Sequence, residues 1–433
     1  MTGTPADLRP IHYMGNKSRF LDAIQAAVDD VARPNTAACD LFAGTAVVAR
    51  RLAQRRPVVC SDIQAYSMVL AGALTAPRTF SEREVAHLVE LARDWLGTTT
   101  PHVRGLLGLE GRALSAAGAD PTALADVIEW GSLAVTGKGS DELQSKKDAA
   151  RGALNPENAT LTWYYGGVYF SYRQALELDA LRHAARALWG VERDQTAVAA
   201  LMGTASDAAS TIGNHFAQPV QPRWADGTLK RNWVTSVTRS RQLSVFDGFK
   251  AWLARYALIQ PTTHRCIAVQ ADYQDTLSAL GPEVGVIYAD PPYTRDHYSR
   301  FYHVLETIAV DDDPGVTPGQ GTSQPSRGLY RENRHQSPFS IRTQVGPAFQ
   351  ELFGHAKRLD VPLVLSYSPM SEGTRARPET RMMSVESLMS VASEYFAEVR
   401  LRDVASSSHS RFNRVDLSAA IDGSAEVLIV ATN

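Results

Sequence analysis

The sequence predicts an α/β protein: a doubly wound sheet of seven strands, interrupted by a large, mostly helical inserted domain. Three observations predict it. Residues 37–75 alternate short apolar runs with helical patterns, and this alternation resumes near 266. Between 76 and 260 the alternation stops and helical periodicity takes over. The chain has 433 residues, more than one typical domain, so an insertion of that size has room for its own core. The expected division is 1–75 with 261–433 for the sheet domain and 76–260 for the insertion.

Composition sets the class. With 44% hydrophobic and 21% charged residues the chain is an ordinary globular one. A formal net charge of −2 excludes a polycation, so any nucleic-acid surface must be a local patch. Cys39, Cys60 and Cys266 are scattered and follow apolar residues, which suits reduced core thiols rather than a disulfide framework or a zinc site. The eleven histidines show no paired-ligand spacing, and no metal is expected. No signal-peptide core and no apolar run of membrane-spanning length is evident, so the expected compartment is the cytoplasm.

In chain order, Tyr13, Gly15 and Lys17 belong to a glycine-containing loop. It leads into a helix whose apolar face is Phe20, Leu21, Ile24, Ala27, Val28 and Val31. Lys17 falls in the first turn, where a cation works against the macrodipole. It is either a solvated surface lysine or one placed for an anionic ligand. Asp40, Phe42, Gly44 and Thr45 then lie on a strand and small-residue turn before a helix over 46–55, a ligand-cradling βα unit. A second strand over 57–61 ends at Asp62. An acidic residue there suits two ribose hydroxyls, or caps the helical segment 65–74; the two roles are compatible.

The most informative stretch is Val286-Ile287-Tyr288-Ala289-Asp290-Pro291-Pro292-Tyr293. Val, Ile and Tyr favour a buried strand, which the prolines end. Asp290 is therefore expected at the carboxyl edge of the sheet, with Tyr293 on a stiff turn beyond it. A carboxylate and the Pro291 carbonyl are two acceptors that can converge on the exocyclic amine of adenine or cytosine. Tyr293 offers a flat face for stacking. The plainer reading is a proline turn with Asp290 as a cap.

Taken in order, Tyr-x-Gly-x-Lys, Asp-x-Phe-x-Gly-Thr, Asp62 and Asp-Pro-Pro-Tyr resemble the Dam-like (alpha-class) S-adenosylmethionine-dependent DNA adenine-N6 methyltransferases. The resemblance covers the sheet domain, about half the chain, and matches the insertion in position only. It implies a Rossmann-like methyltransferase sheet and transfer of a methyl group from S-adenosyl-L-methionine to a flipped-out adenine in double-stranded DNA. It assigns the segment of Tyr13, Gly15 and Lys17 to the cofactor, with Lys17 on its methionine carboxylate. The loop of Asp40, Phe42, Gly44 and Thr45 wraps the methionine and ribose portions, and Asp62 takes the ribose hydroxyls. Asp272, beside Tyr273, falls where the family carries an acidic residue near the cofactor adenine. Asp290, Pro291, Pro292 and Tyr293 form the catalytic turn. Many members read Gly-Thr-Gly where this chain has Gly44-Thr45-Ala46, which implies slightly changed cofactor packing. The family setting, restriction-modification or phage defence, adds a cognate nuclease or defence-system proteins as expected partners.

The insertion should open with a capping box, Ser81 and Glu84, on a helix running through Trp95. Further helices are expected over 121–135, 172–189, 193–206 and 246–258, with 137–147 a polar, mobile loop. The aromatic cluster 163–173 reads as core packing. The basic stretch holding Arg223, Lys230, Arg231, Arg239 and Arg241 reads as a DNA footprint, its bland alternative being a solvated face. A long polar stretch over 310–344, with Arg331 and Arg334, is placed to clamp phosphates beside the catalytic turn. A helix over 345–358, a strand over 362–368 with Ser366 and Tyr367 at its ligand edge, a helix over 385–397 and strands over 399–404 and 427–431 complete the seven-strand count.

Three alternatives stay open: an RNA adenine methyltransferase; a cytosine-N4 enzyme, where Ser-Pro-Pro-Tyr is commoner; and a non-catalytic DNA-binding subunit, against which the intact Lys17, Asp62 and Asp290 speak.

Overall fold

The apolar runs form strands β1 (Ala37–Leu41), β2 (Val58–Asp62), β3 (Cys266–Gln270), β4 (Val284–Ala289), β5 (Leu363–Tyr367), β6 (Glu398–Asp403) and β7 (Val427–Thr432). The structure, a computed structural model, describes residues 9–13, 15, 17–190, 193–213, 215–292, 294, 298–368, 382–404 and 426–433. The strands make one sheet in the order β3-β2-β1-β4-β5-β7-β6. All neighbours are parallel except β7, which runs antiparallel to β5 and β6. Every residue of β1, β4 and β5 is buried, whereas edge strand β3 is partly exposed. That contrast explains why central strands read as unbroken apolar runs.

Helices α1 (Leu21–Val31), α2 (Val47–Leu52) and α3 (Ala65–Thr75) accompany β1 and β2. Eight more separate α3 from β3: α4 (Glu82–Ala116), α5 (Thr122–Trp130), α6 (Asp141–Arg151), α7 (Thr160–Tyr165), α8 (Tyr172–Trp189), α9 (Gln195–Ala208), α10 (Val234–Arg241) and α11 (Val245–Ala257). After β3 come α12 (Tyr273–Ala279), α13 (Tyr298–Phe301), α14 (His303–Val310), α15 (Val345–Arg358) and α16 (Val385–Ser393). Alternation along the strands gives each sheet face a core. Cys39, Leu41, Ile287 and Ala289 pack with Phe349, Leu352 and Phe353 of α15. Ala38, Val286 and Tyr288 pack with Ile24 and Val28 of α1 and Val48 and Leu52 of α2. A further core joins Tyr66 and Leu70 of α3 to Leu181, Met202 and Phe249 of the intervening helices and to Val304 and Ile308 of α14. No helix among the described residues is long and apolar enough to cross a membrane.

Two elements depart from the sequence reading. The helix capped by Ser81 and Glu84 does not stop near Trp95 but runs to Ala116 with Pro101 inside it. An interior proline costs about 3 kcal/mol. Leu88, Val89 and Ala92 before it and Val103, Leu106 and Leu109 after it are all buried, and each large apolar side chain returns about 1.5–3 kcal/mol. Burial therefore wins. The expected loop over 137–147 is largely α6, capped by Ser140. Its charges serve the backbone. Lys147 Nζ donates to the Trp130 carbonyl at 2.6 Å, and Arg151 donates to those of Leu133 and Val135 at 2.7 and 2.5 Å. The aromatic cluster is core, as expected: Tyr165, Tyr169, Phe170 and Tyr172 are fully buried. The stretch over 310–344 folds back on itself through the bonds Thr317 N–H to Tyr330 (2.8 Å) and Gly319 N–H to Gln324 (2.8 Å).

Candidate active site

Strands β1 and β4 are neighbours in the middle of the sheet, where the strand order changes direction. At such a switch point the carboxyl ends of two strands open a crevice. Leu41 pairs with Ala289, and the Asp290 N–H lies 3.4 Å from the Leu41 carbonyl. One step past that pair β1 becomes the 42–46 turn and β4 becomes Asp290-Pro291-Pro292. Between them lies a cleft of about 1170 Å³, open solvent included.

The turn after β1 is tightly wound. Phe42, Gly44 and Ala46 have φ of 62°, 53° and 58°, a region that costs a residue with a Cβ about 1–2 kcal/mol. A Cβ on Gly44 would stand 2.8 Å from the Tyr13 hydroxyl oxygen, so glycine lets Tyr13 lie on the turn. Tyr13 also stacks on Tyr302 at 4.7 Å. Ala46, the point where the sequence departs from the Gly-Thr-Gly pattern of the resemblance, is fully buried in the core with α1 and α2 and does not line the cleft. The departure thus falls on backbone strain rather than on the cleft wall.

The expected cofactor residues meet here. Tyr13, Gly15 and Lys17 line the cleft from the N-terminal segment, and Asp40, Phe42, Gly44 and Thr45 line it from β1 and its turn. Asp62, Asp272, Tyr273, Asp290, Pro291 and Pro292 complete that wall. Tyr293 lies outside the described residues. The Asp62 carboxylate accepts the N–H groups of Gly44 (2.9 Å) and Gln64 (2.9 Å), tying the two strand ends together. Burial raises its pKa, and those two N–H groups oppose the rise. Asp40 is also raised by burial, reinforced by Cys266 and Asp290. Its Oδ2 has no hydrogen-bond partner among the described residues. Asp272 caps α12 through the Gln274 N–H (3.1 Å). Tyr273 donates to Glu351 (2.9 Å) and packs with Phe42 and Phe339, ring centroids 5.7 and 5.1 Å away. Buried carboxylates with acceptor capacity beside aromatic rings suit a ligand carrying positive charge, hydroxyl donors and a flat ring.

Lys17 is employed differently from the expectation. Its ammonium is buried 3.0 Å from Asp290 Oδ1 and 3.0 Å from Glu426 Oε1, so a ligand carboxylate would compete with both. Glu426, one residue before β7, also accepts from Ser366 Oγ at 2.8 Å. Asp290 keeps a fifth of its side chain open. Its pKa is pushed up to about 7 by burial, with Lys17 opposing and Glu426 adding to the rise. Sequence reasoning missed Glu426: no motif surrounds it. Residues 335–338 and Ser340, from the stretch over 310–344 expected beside the Asp-Pro-Pro turn, line one side of the cleft, though the sequence reading names none of them individually. Ser366 and Tyr367, expected at the ligand edge, are fully buried instead. Ser366 serves Glu426, and Tyr367 donates to the Met383 carbonyl at 2.8 Å.

The basic residues divide. Arg241 is a correction: its side chain is wholly buried, paired with Glu110 and bonded to the Gly167 carbonyl at 2.6 Å, so it cannot reach a phosphate. Arg223 is held by Asp126 (2.7 Å) and Glu129, and Arg331 is bidentate on Asp312 (2.7 and 2.8 Å). Their charge is spent inside the protein. Arg334 lies over the Tyr330 ring and bonds the Arg331 carbonyl. Lys230 lies 4.6 Å from the ring centroid of Trp224, which is 61% exposed. Arg231 and Arg239 are exposed.

The seven-stranded sheet, with an Asp-Pro-Pro turn beside a strand–turn–helix cleft, is consistent with a methyltransferase fold. Comparison with known proteins narrows the class. Residues 13–96 and 252–361 match the family model of D12 class N6 adenine-specific DNA methyltransferases, so the chain is similar to that family over these segments. It is also similar to the modification methylase LlaI of Lactococcus lactis subsp. lactis, 35% identical over 86 residues. That stretch is 20% of this chain and 12% of the relative's length.

Proposed function

We propose that the protein is a site-specific DNA methyltransferase that moves a methyl group from S-adenosyl-L-methionine to the N6 amine of a flipped-out adenine. One observation carries the reading: Asp290 stands in the same cleft as the Asp62–Gly44 cradle, which supports an amine acceptor beside a nucleoside cofactor. The matched family supports adenine in DNA as the substrate. The donor, when bound, supplies an electrophilic methyl carbon. Asp62 is proposed to take the ribose hydroxyls, Asp40 Oδ2 a cationic group, and the rings of Phe42 and Tyr273, which line the cleft, the adenine face.

Adenine's N6 is a weak nucleophile because its lone pair is delocalised into the ring. Asp290 and the Pro291 carbonyl, each accepting one N–H, localise that lone pair and aim it. As the bond forms, N6 becomes acidic and Asp290 is placed to take its proton. A base paired in a duplex must leave the stack to reach this site, and Tyr293 is proposed as its stacking partner. The proposal includes a doubly wound sheet domain, 1–75 with 261–433, and a target-recognition domain, 76–260, inserted into it. A nuclease or defence partner is proposed from the relative's designation as a modification methylase.

The test is Asp290→Ala. Transfer of labelled methyl to DNA should fall below detection while calorimetry still finds donor binding. Surviving transfer would end the catalytic assignment. Offering RNA alongside DNA decides the nucleic acid, and sequencing modified bases in DNA from expressing cells reads out the recognised site.

A further inference from the structure

We infer that Glu426 is a positioning residue for the reacting carboxylate: from the start of β7 it holds the Lys17 ammonium against Asp290 and sets the charge Asp290 experiences. The inference rests on the proposed function for its catalytic consequence, but not for its geometry.

Lys17 Nζ is equidistant, at 3.0 Å, from Asp290 Oδ1 and Glu426 Oε1. Ser366, on the strand between β4 and β7, fixes Glu426 from the other side at 2.8 Å. Lys17 and Glu426 are nearly inaccessible, at 5% and 1% side-chain exposure. Two carboxylates share the Lys17 ammonium in the interior, so each bears on the charge state of the other. Among the described residues, Tyr288 on its own strand and Asp40 on β1 also interact with Asp290. Lys17, which lowers its pKa, and Glu426, which raises it, are the charged groups that act on it most.

The geometry gives two variants of opposite sign. In Glu426→Gln the repulsion is lost and Lys17 turns wholly to Asp290, which becomes more acidic. In Ser366→Ala the carboxylate of Glu426 loses its hydroxyl donor and draws Lys17 away, so Asp290 becomes less acidic. General damage to the site would not split them. The experiment uses the full chain with carboxyl-¹³C aspartate, the Asp290 signal assigned by its loss in Asp290→Asn, and a pH titration without DNA or donor. Glu426→Gln should lower the Asp290 midpoint by about one unit and Ser366→Ala should raise it. In transfer assays the acid limb of kcat should move the same way, with donor affinity within about twofold of the parent. An Asp290 midpoint unmoved in both variants, or moved in the same direction by both, overturns the inference. If Glu426→Gln does not fold, as read by circular dichroism, the rise in Ser366→Ala decides alone. A parent chain that methylates no DNA would sink the proposed function, while the titration would still judge Glu426.

Discussion

In the proposed reaction Asp290 is a strong acceptor while ionised and a weaker one once protonated, and its surroundings make that state conditional. Burial pushes its pKa up to about 7. Lowering the pH through that value therefore protonates the group, weakens it as an acceptor and leaves it unable to take the N6 proton. The expected profile of kcat/KM has an acid limb near neutrality, falling about tenfold per unit below it; an ordinary solvated aspartate would hold the rate flat to about pH 4. Measuring transfer from pH 5 to 9 checks this. Gly44 makes a second prediction. Its left-handed φ and the 2.8 Å approach of Tyr13 mean that Gly44→Ala should cost about 1–2 kcal/mol in urea unfolding and weaken donor binding. Both residues were legible in the sequence because each sits in a short contiguous string whose chemistry constrains it. Glu426 was not, because the partner that defines it, Lys17, is 409 residues away.

Among the elements, α14 does more than follow the catalytic turn. Glu306 accepts the N–H groups of Ala65 and Tyr66, both at 3.0 Å, at an α3 end that has no side-chain cap of its own. It thereby joins the helix beyond Asp290 to the helix beyond Asp62. Glu306→Gln should cost about 1–2 kcal/mol, since an anion at a buried helix N-terminus gains from both hydrogen bonds and the dipole. Chemical denaturation measures the loss, and a raised donor Kd would show that the joint reaches the cleft. Elements were legible where local signals agreed: α8 and α15 begin and end where their apolar spacing does. They were misread where tertiary burial overrode a local signal, as at Pro101 in α4, or where charge was taken for exposure, as at Lys147 in α6.

Across the whole molecule, charge on the sequence and charge on the surface are different quantities. The basic stretch looked like one footprint, yet Arg241 and Glu110, 131 residues apart, form a buried pair. Arg241→Ala should cost about 3–5 kcal/mol by stranding Glu110, with little direct effect on DNA binding. Exposed Arg231 and Arg239 should behave in the opposite way. Glu in place of either should leave the unfolding midpoint unchanged and weaken DNA binding. The salt dependence should become shallower by about one ion for each phosphate no longer neutralised. Titrating affinity against salt separates the two cases. The joining of Lys17 to Glu426 has a consequence in time as well as in space. A ribosome adding about 5–20 residues per second needs roughly 20–80 s to travel from one to the other. Throughout that interval the growing polypeptide carries its 42–46 turn and, later, its Asp-Pro-Pro turn without the Glu426 contact of the lysine. A product aborted before β7 would carry the Asp-Pro-Pro turn without Glu426, so the contact that anchors Lys17 forms only once that strand is made.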